Sequence, residues 1–170
     1  MKKKGNIKDL FIIELKDMYS AEEQIVKSLP NMVKAADSDD LKEAFQSHLK
    51  ETQEQVERLN KIFEFLEESP KGATCKAMQG LIHECSDAIH EFPKSALRDA
   101  ALISKAQRIE HYEISAYGTL RTFAKELDLN HSVMGLIEES LKEEGHADKI
   151  LTKIAEGSLL TTGVNRKAND

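Results

Sequence analysis

Apolar residues recur at intervals of three and four along most of this chain, and runs in which apolar and polar residues alternate are missing. This spacing puts the apolar residues on one face of an α-helix, whereas alternation would indicate a β-strand. The composition agrees, because the 170 residues include only three prolines and eight glycines. The pattern predicts an all-α protein with helices over about residues 6–36, 39–68, 74–91, 95–127 and 131–156.

The connections between the predicted helices indicate how they are arranged. Short segments join the first long helix to the second and the third to the fourth, while a long connection with its own short helix separates the second from the third. Such connectivity is typical of a ferritin-like four-helix bundle with one crossover, although periodicity alone does not exclude another bundle. We expect one domain, with the bundle over 1–157 and a loose polar tail over 158–170 that Leu159 and Leu160 dock.

Charge and cysteine content narrow the class of protein. A formal net charge of −6 argues against general nucleic-acid binding. Charged residues interrupt the segment after the N-terminal lysines, and no apolar stretch approaches the roughly 18 residues of a membrane span. Cys75 and Cys85 are ten positions apart in a helical segment, which is about 15 Å and too far for a disulfide. We therefore expect a bacterial-type cytoplasmic protein with free thiols and no nucleic-acid or membrane partner.

Carboxylate and imidazole side chains occupy the middle of the apolar stripes in the first two long helices. Glu22 falls on the stripe of the first helix, whereas Glu23 is rotated about 100° away from it. In the second helix, Glu51 lies one turn from His48, while Glu54 shares a face with charged residues. We therefore predict Glu22, Glu51 and His48 as metal ligands and Glu54 as a solvated charge; the alternative for His48 is a core histidine that binds no metal.

The third and fourth long helices repeat the arrangement. Glu110 and Glu113 are one turn apart on the third stripe, and two such carboxylates repel each other unless a cation lies between them. Glu143 and His146 are one turn apart on the fourth helix, and we place both on its stripe. Glu144 and Asp148 lie on an adjacent face, from which either could hold the imidazole. The predicted ligands are therefore Glu110, Glu113, Glu143 and His146, with no catalytic residue beyond the ligands.

Four helices that each bury an ionisable group suggest a shared purpose, because a buried charge costs several kcal/mol unless it is paired or bound to metal. Carboxylates with one or two histidines form an oxygen and nitrogen donor set that suits iron or manganese. Shared carboxylates can bridge two ions about 3.5–4 Å apart and leave positions open for dioxygen or peroxide. We predict two metal ions, with iron favoured over manganese. Tyr19, Tyr112 and Tyr117 bracket the ligands in the sequence. Most such tyrosines are packing residues, but one near the metals could pass electrons or hydrogen-bond a bound oxygen species.

Several motifs resemble those of the ferritin-like superfamily and, more narrowly, the YciF/YciE-like stress proteins of bacteria. They cover most of the chain, and Glu-Glu-Gly-His at 143–146 also looks like the fourth-helix metal motif of bacterioferritins. The motifs lie at 19–24, 48–52, 55–59, 98–103, 110–113 and 115–120. The resemblance implies a dimetal protein linked to stress, with helix pairs supplying Glu and Glu-x-x-His ligands. Position 54 departs from that pattern because it is Glu rather than His.

The leading hypothesis is a di-iron or di-manganese protein that acts on peroxide or dioxygen as a catalase or peroxidase does. The additional carboxylate Glu113 resembles that of rubrerythrins and favours this chemistry over storage. The alternatives are iron sequestration without turnover, which requires a closed shell, and a structural bundle that binds no redox metal. On resemblance we expect a homodimer.

Overall fold

The computed structural model describes residues 5–158 and 160–169, and this part of the chain forms helices. The helices are α1 Ile7–Ala35, α2 Asp39–Leu66, α3 Lys76–Glu91, α4 Ala96–Glu126, α5 His131–Glu156 and α6 Val164–Lys167. The predicted all-α bundle is confirmed, and the five predicted helices begin and end within two residues of those observed. The sixth helix lies in the segment that was expected to be a loose tail.

The turn between α1 and α2 is held by a residue from a distant helix. The Asp99 carboxylate of α4 is buried and accepts hydrogen bonds from the backbone N–H groups of Asp37 and Ser38 at 2.8 and 2.7 Å. Ser38 is the N-cap of α2, but its side chain makes no capping hydrogen bond. Asp99 therefore satisfies two backbone N–H groups of the turn itself and ties the first helix pair to α4.

The four long helices form a closed ring in which each packs against two others. α1 packs on α2 and α4, and α5 packs on α2 and α4. The short helix α3 packs against α1 and α4, on the side of the ring opposite the interface between α2 and α5. The crossover connection therefore covers one side of the bundle and leaves the other to α2 and α5 alone.

Apolar side chains fill both halves of the bundle, and polar side chains are buried between them. Large residues such as Phe11, Phe45, Leu102 and Leu120 are at most 2% exposed, and each fully buried side chain of this size contributes about 1.5–3 kcal/mol. The buried polar residues are Glu22, His48, Thr52, Gln55, Arg58, Asp99, Glu110, Glu113, Ser140 and Glu144. The protein thus has a sizeable apolar core with a polar middle.

The C-terminal segment docks through a different residue from the one predicted. Leu160 is 96% exposed, so the prediction that it docks the tail is wrong, while Leu159 lies outside the described residues. Val164 is 3% exposed instead, and α6 contacts α4 and α5. A Cβ on Gly163 would lie 2.3 Å from the carbonyl carbon of Glu156. Glycine therefore allows the chain to approach the end of α5 closely enough to bury Val164.

Neither a disulfide nor a helix able to cross a membrane occurs among the described residues. Cys75 and Cys85 are buried free thiols, which confirms the prediction. The long helices carry too many charged residues for any of them to serve as a membrane span.

Candidate metal centre

Buried ionisable side chains from all four long helices meet in the middle of the bundle. They are Glu22 of α1, His48 of α2, Glu110 and Glu113 of α4 and Glu144 of α5, none more than 6% exposed. His48, Glu110, Glu113 and Glu144 can each offer a donor atom within 4.8 Å of the others. We call these four residues with Glu22 the carboxylate–histidine cluster. Of the predicted ligands, the fold brings together Glu22, His48, Glu110 and Glu113.

The helical repeat explains why these side chains point inward. In α2 the buried residues follow one another at three and four positions through Phe45, His48, Thr52 and Gln55. In α4, Glu110 and Glu113 are one turn apart on the face that buries Ala106 and Tyr117. Each residue on such a stripe faces the same side of its helix as its apolar neighbours, so the apolar packing forces the ionisable groups into the core.

In α5 the placement of Glu143 on the buried stripe was wrong. Glu144 is fully buried, while the Glu143 side chain is 22% exposed. Two stripes can be drawn through α5, and both contain Ser140 and Ala147. The other members of one stripe are shifted by one position from those of the other, as Glu143 is from Glu144. The stripe through Ile137, Glu144 and Leu151 is the one that packs against the other helices. One residue is a rotation of about 100°, which moves a side chain from the core to the surface.

Two other predicted ligands lie outside the core. His146 is exposed and does not join the cluster, because it follows Glu144 by two positions and so points away from it. The Glu51 side chain is 34% exposed, and its Oε2 lies 3.9 Å from His48 Nδ1. Glu51 is therefore at the edge of the cluster rather than within it. Glu54 is a solvated charge, as predicted, with a side chain 71% exposed.

Arg58 is one of the charged residues that share a face of α2 with Glu54, yet it is buried. Its guanidinium donates to both oxygens of Glu143, at 2.5 and 2.8 Å, and its Nε lies 3.3 Å from Glu139 Oε2. Glu143 raises the pKa of Arg58, so the guanidinium is charged. Arginine suits this position because its planar fork matches a carboxylate and its stem packs against apolar surface. The pair joins α2 to α5 beside the cluster, and sequence spacing had given no signal of it.

Side-chain hydrogen bonds orient two of the cluster carboxylates. Tyr117 donates to Glu22 Oε1, and Gln55 Nε2 donates to Glu144 Oε1. The same Gln55 nitrogen lies 3.0 Å from Glu143 Oε2. Gln55 therefore connects the Arg58–Glu143 pair to the cluster. It was not among the predicted site residues, although its position on the α2 stripe could have identified it.

The other two tyrosines face away from the cluster. The Tyr112 hydroxyl donates to Asp17 Oδ2 at 2.5 Å and lies 3.1 Å from Cys75 Sγ. The Tyr19 ring packs edge to face against Phe63 with centroids 5.9 Å apart. Among the three tyrosines of the sequence, Tyr117 is therefore the one that contacts a cluster residue directly.

The cluster contains polar atoms that the protein itself leaves without partners. Among residues 5–158 and 160–169, the buried side-chain atoms that lack a hydrogen bond are Glu22 Oε2, both His48 nitrogens, Gln55 Oε1, Glu110 Oε2, both Glu113 oxygens and Glu144 Oε2. His48 Nε2 lies 3.4 Å from Glu110 Oε1, but the pair does not meet the angular requirement for a hydrogen bond. Unpaired buried polar atoms are rare in native proteins, so their concentration in one place indicates a missing partner.

Burial changes the acidity of the cluster. It raises the pKa of Glu22 to about 7 and that of Glu110 to about 8, against an ordinary value of 4.5. The pKa values of Glu113 and Glu144 are also raised, by burial first and then by the neighbouring carboxylates. For His48, burial alone lowers the pKa, but Glu51, Glu144 and Glu22 raise it above its ordinary value. Without a cation, the carboxyl groups therefore tend to keep their protons.

This donor set fits a metal ion. A cation would neutralise the carboxylates and supply partners for the unpaired oxygen and nitrogen atoms. Oxygen donors with one imidazole match iron or manganese, and the group of four includes no thiolate. The residues therefore could hold a metal ion, through His48, Glu110, Glu113 and Glu144, with Glu22 beside them.

Comparison with known proteins agrees with the fold and with the sequence resemblance. Protein YciF of Escherichia coli strain K12 is 41% identical over 165 residues, which is 96% of each chain. The crystal structure of the E. coli stress protein YciF superposes with a TM-score of 0.84 and 42% identity, over 90% of this chain and 94% of that one. YcfI from Rhodopseudomonas palustris, described as a candidate structural protein, gives a TM-score of 0.86 and 39% identity over 91% and 98% of the two chains.

A family profile described as "Domain of unknown function (DUF892)" matches residues 6–168. This match spans all six helices and every residue of the carboxylate–histidine cluster. Together with the identity to YciF, it shows that the chain belongs to the YciF-like DUF892 family.

Proposed function

We propose that this chain is a metal-dependent stress protein that uses the carboxylate–histidine cluster to hold iron or manganese and acts on peroxide or dioxygen. The observation that supports the proposal is the concentration of unpaired donor atoms at His48, Glu110, Glu113 and Glu144. When bound, iron or manganese supplies the reversible electron transfer that carboxyl and imidazole groups lack.

The side chains of the protein have three tasks in this proposal. The carboxyl groups give up their protons when they bind metal, so raised pKa values make uptake dependent on pH. Tyr117 and Gln55 hold Glu22 and Glu144 in fixed orientations through their hydrogen bonds. The apolar layers around the cluster limit the access of water, which protects the site from side reactions.

Two ions, rather than one, are part of the proposal, with iron favoured over manganese. The group of four residues suffices for one ion. Glu22 adds a fifth ionisable group, and both oxygens of Glu113 lack partners, so Glu113 has the capacity to bridge two ions. Titration of metal-free protein with Fe²⁺ or Mn²⁺ gives the stoichiometry and decides between one ion and two.

Metal analysis of protein purified without a chelator tests the proposal first. We expect bound iron or manganese in the unsubstituted chain and its loss in Glu113→Ala. Oxygen evolution from peroxide then tests for a catalase-like reaction, which has the advantage that it needs no external electron donor. A well-folded chain that binds neither ion, even after reconstitution, would refute the proposal.

Iron sequestration differs from the proposed action on peroxide or dioxygen in the assembly it requires as well as in its chemistry. Storage of iron as a mineral requires a closed shell, whereas we propose a homodimer. Light scattering measures the mass in solution. A shell-sized particle that takes up many iron ions per chain and evolves no oxygen from peroxide would favour sequestration, and a dimer would exclude mineral storage.

A structural role without metal is the second candidate. The related YcfI protein is described as a candidate structural protein. The raised pKa values of Glu22 and Glu110 mean that neutral carboxyl groups can be buried at moderate cost. In that case Glu113→Gln would keep the protein folded and would stabilise it, because it removes an ionisable group. Under the metal proposal the same substitution abolishes the stabilisation that added metal gives.

A further inference from the structure

A small cavity enters the bundle between α2 and α5, on the side that α3 does not cover. Its walls include the small side chains of Ala44, Ser47 and Ala147. Its volume is about 20 Å³, which is room for about one water molecule. This opening leads from the surface of the protein toward the cluster.

The inner end of the cavity is formed by metal-donor groups. His48 and Glu110 line it and are 6% and 2% exposed. Both nitrogens of His48 and Oε2 of Glu110 have no hydrogen-bond partner. The rest of the lining is largely apolar and includes Phe45, Ile150 and Leu151, so the unpaired donor atoms are concentrated at this end of the cavity.

The outer end carries a carboxylate. Glu51 also lines the cavity, and it is half-buried, with Oε2 3.9 Å from His48 Nδ1. The Glu51 carboxylate therefore lies between solvent and the buried imidazole. A negative group at the mouth of a low-dielectric opening attracts cations and raises their local concentration.

We propose that this opening is the route by which a divalent metal ion reaches the cluster, and that Glu51 receives the ion from water before it passes to His48 and Glu110. The inference rests on the proposed function. A fully hydrated ion is too large for a space of about 20 Å³, so water ligands must leave at the mouth. The Glu51 oxygens are placed to replace them there.

On the α1 side of the cluster, the described residues that line a second cavity include no half-buried carboxylate like Glu51. This cavity of about 10 Å³ also reaches His48 and Glu110, but Ile25, Leu29 and Met32 form much of its wall. Ser28 also lines this second cavity, but its hydroxyl donates to the Ile25 carbonyl, and no carboxylate corresponding to Glu51 is among the lining residues. A hydrated cation would therefore meet no half-buried charge there in exchange for its water ligands. The side between α2 and α5 is therefore the better route for a charged species.

Uptake kinetics of metal-free protein test the role of Glu51. Stopped-flow mixing with Mn²⁺ and a competing chromophoric chelator gives the rate, and equilibrium titration gives the affinity. We expect Glu51→Gln to slow uptake about tenfold at low ionic strength, with a smaller effect at high salt, and to change affinity much less. Glu57→Gln is the matched control, because it removes the same charge from an exposed position of the same helix.

A plug in the opening tests the route itself. Ala44→Leu adds atoms to a half-buried wall of the cavity and should slow uptake at least about tenfold, since the cavity admits about one water. Gln46→Leu adds an apolar group at an exposed position nearby and should not. Ser47→Leu, at the exposed rim, replaces Ala44→Leu if circular dichroism shows that the latter unfolds.

The uptake rates and the affinities together decide whether the opening is the route of the metal ion. Slower uptake with the same final metal content supports the route. Unchanged rates in Glu51→Gln and in the plugged variant overturn it while leaving the proposed function intact. A large loss of affinity in Glu51→Gln at an unchanged rate would make Glu51 a permanent ligand and also overturn the inference. If the unsubstituted chain binds no metal, both the route and the proposed function fail.

Discussion

Glu143 and Glu144 are adjacent in the sequence but have different surroundings in the folded protein. Glu144 is fully buried and has a raised pKa because burial and neighbouring carboxylates disfavour its charge. Glu143 is partly exposed and forms a bidentate ion pair with Arg58. Glu144 is therefore suited to bind a cation, whereas Glu143 is already paired with the Arg58 guanidinium.

The first prediction compares substitutions of Glu144, which belongs to the cluster, and of His146, which is exposed. Glu144→Ala should lose most of the bound metal, since it removes one of four buried donors. His146→Ala should keep its metal content, because His146 is exposed and outside the cluster. Inductively coupled plasma mass spectrometry of both variants checks this. Metal loss in His146→Ala with retention in Glu144→Ala would restore the ligand set expected from the sequence.

The Arg58–Glu143 pair gives the second prediction, on stability. Arg58→Ala should lower the free energy of unfolding by about 2 kcal/mol, because it leaves a half-buried carboxylate without its charged donor. A double-mutant cycle with Glu143→Ala should give a coupling energy of about 1–2 kcal/mol. Urea unfolding of the four proteins measures both values. Additive effects would mean that the pair contributes nothing beyond its separate side chains.

Among the helices, α6 shows how a short element depends on its neighbours. Four residues are too few for a helix that is stable alone. It is held instead by the burial of Val164 against α4 and α5 and by the close approach of Gly163 to Glu156. This segment therefore belongs to the packed domain and should unfold with it.

Two tail substitutions test this docking. Val164→Ala should lower the free energy of unfolding by about 2 kcal/mol, because it removes buried methyl groups and leaves a cavity. Leu160→Ala should change it by less than about 0.5 kcal/mol, because Leu160 is exposed. Thermal or urea unfolding monitored by circular dichroism provides the measurement. The reverse ranking would show that the tail docks through its leucine, as the sequence had suggested.

At the scale of the whole molecule, the cluster links stability to pH. The folded pKa values of Glu22 and Glu110, about 7 and about 8, are above the ordinary value of 4.5, so the folded state holds more protons than the unfolded state in that interval. The pKa of His48 is also raised, which acts in the same direction. The contribution of these groups is therefore complete below about pH 4.5 and is lost as the pH rises through about 7 and 8.

The melting temperature of metal-free protein should accordingly fall between about pH 5 and about pH 8, and Glu113→Gln should reduce that slope. Added Mn²⁺ should stabilise the protein more at the upper end of the interval, since binding requires the same carboxyl groups to be deprotonated. Scanning calorimetry with and without metal measures both trends. A metal-free melting temperature that rises with pH would contradict the burial of protonated carboxyl groups.

Much of the architecture and part of the site followed from the sequence alone. The intervals of three and four predicted the helices, and the ionisable residues within the stripes identified Glu22, His48, Glu110 and Glu113, which the fold brings together. The predicted helices are confirmed because the helical repeat is a local property of the chain, and the same repeat places these four side chains in the core. That they bind metal stays a prediction.

Only the tertiary structure decided which of two adjacent faces of α5 is buried, that Arg58 lies inside, and that Val164 rather than Leu160 anchors the tail. In each case the local pattern allowed two answers. The choice depended on a rotation of about 100° or a shift of a few residues, and contacts between helices far apart in the sequence determined it. The sequence by itself therefore established a helical bundle with carboxylates in its core, and packing selected Glu144 and placed Glu51 at the opening.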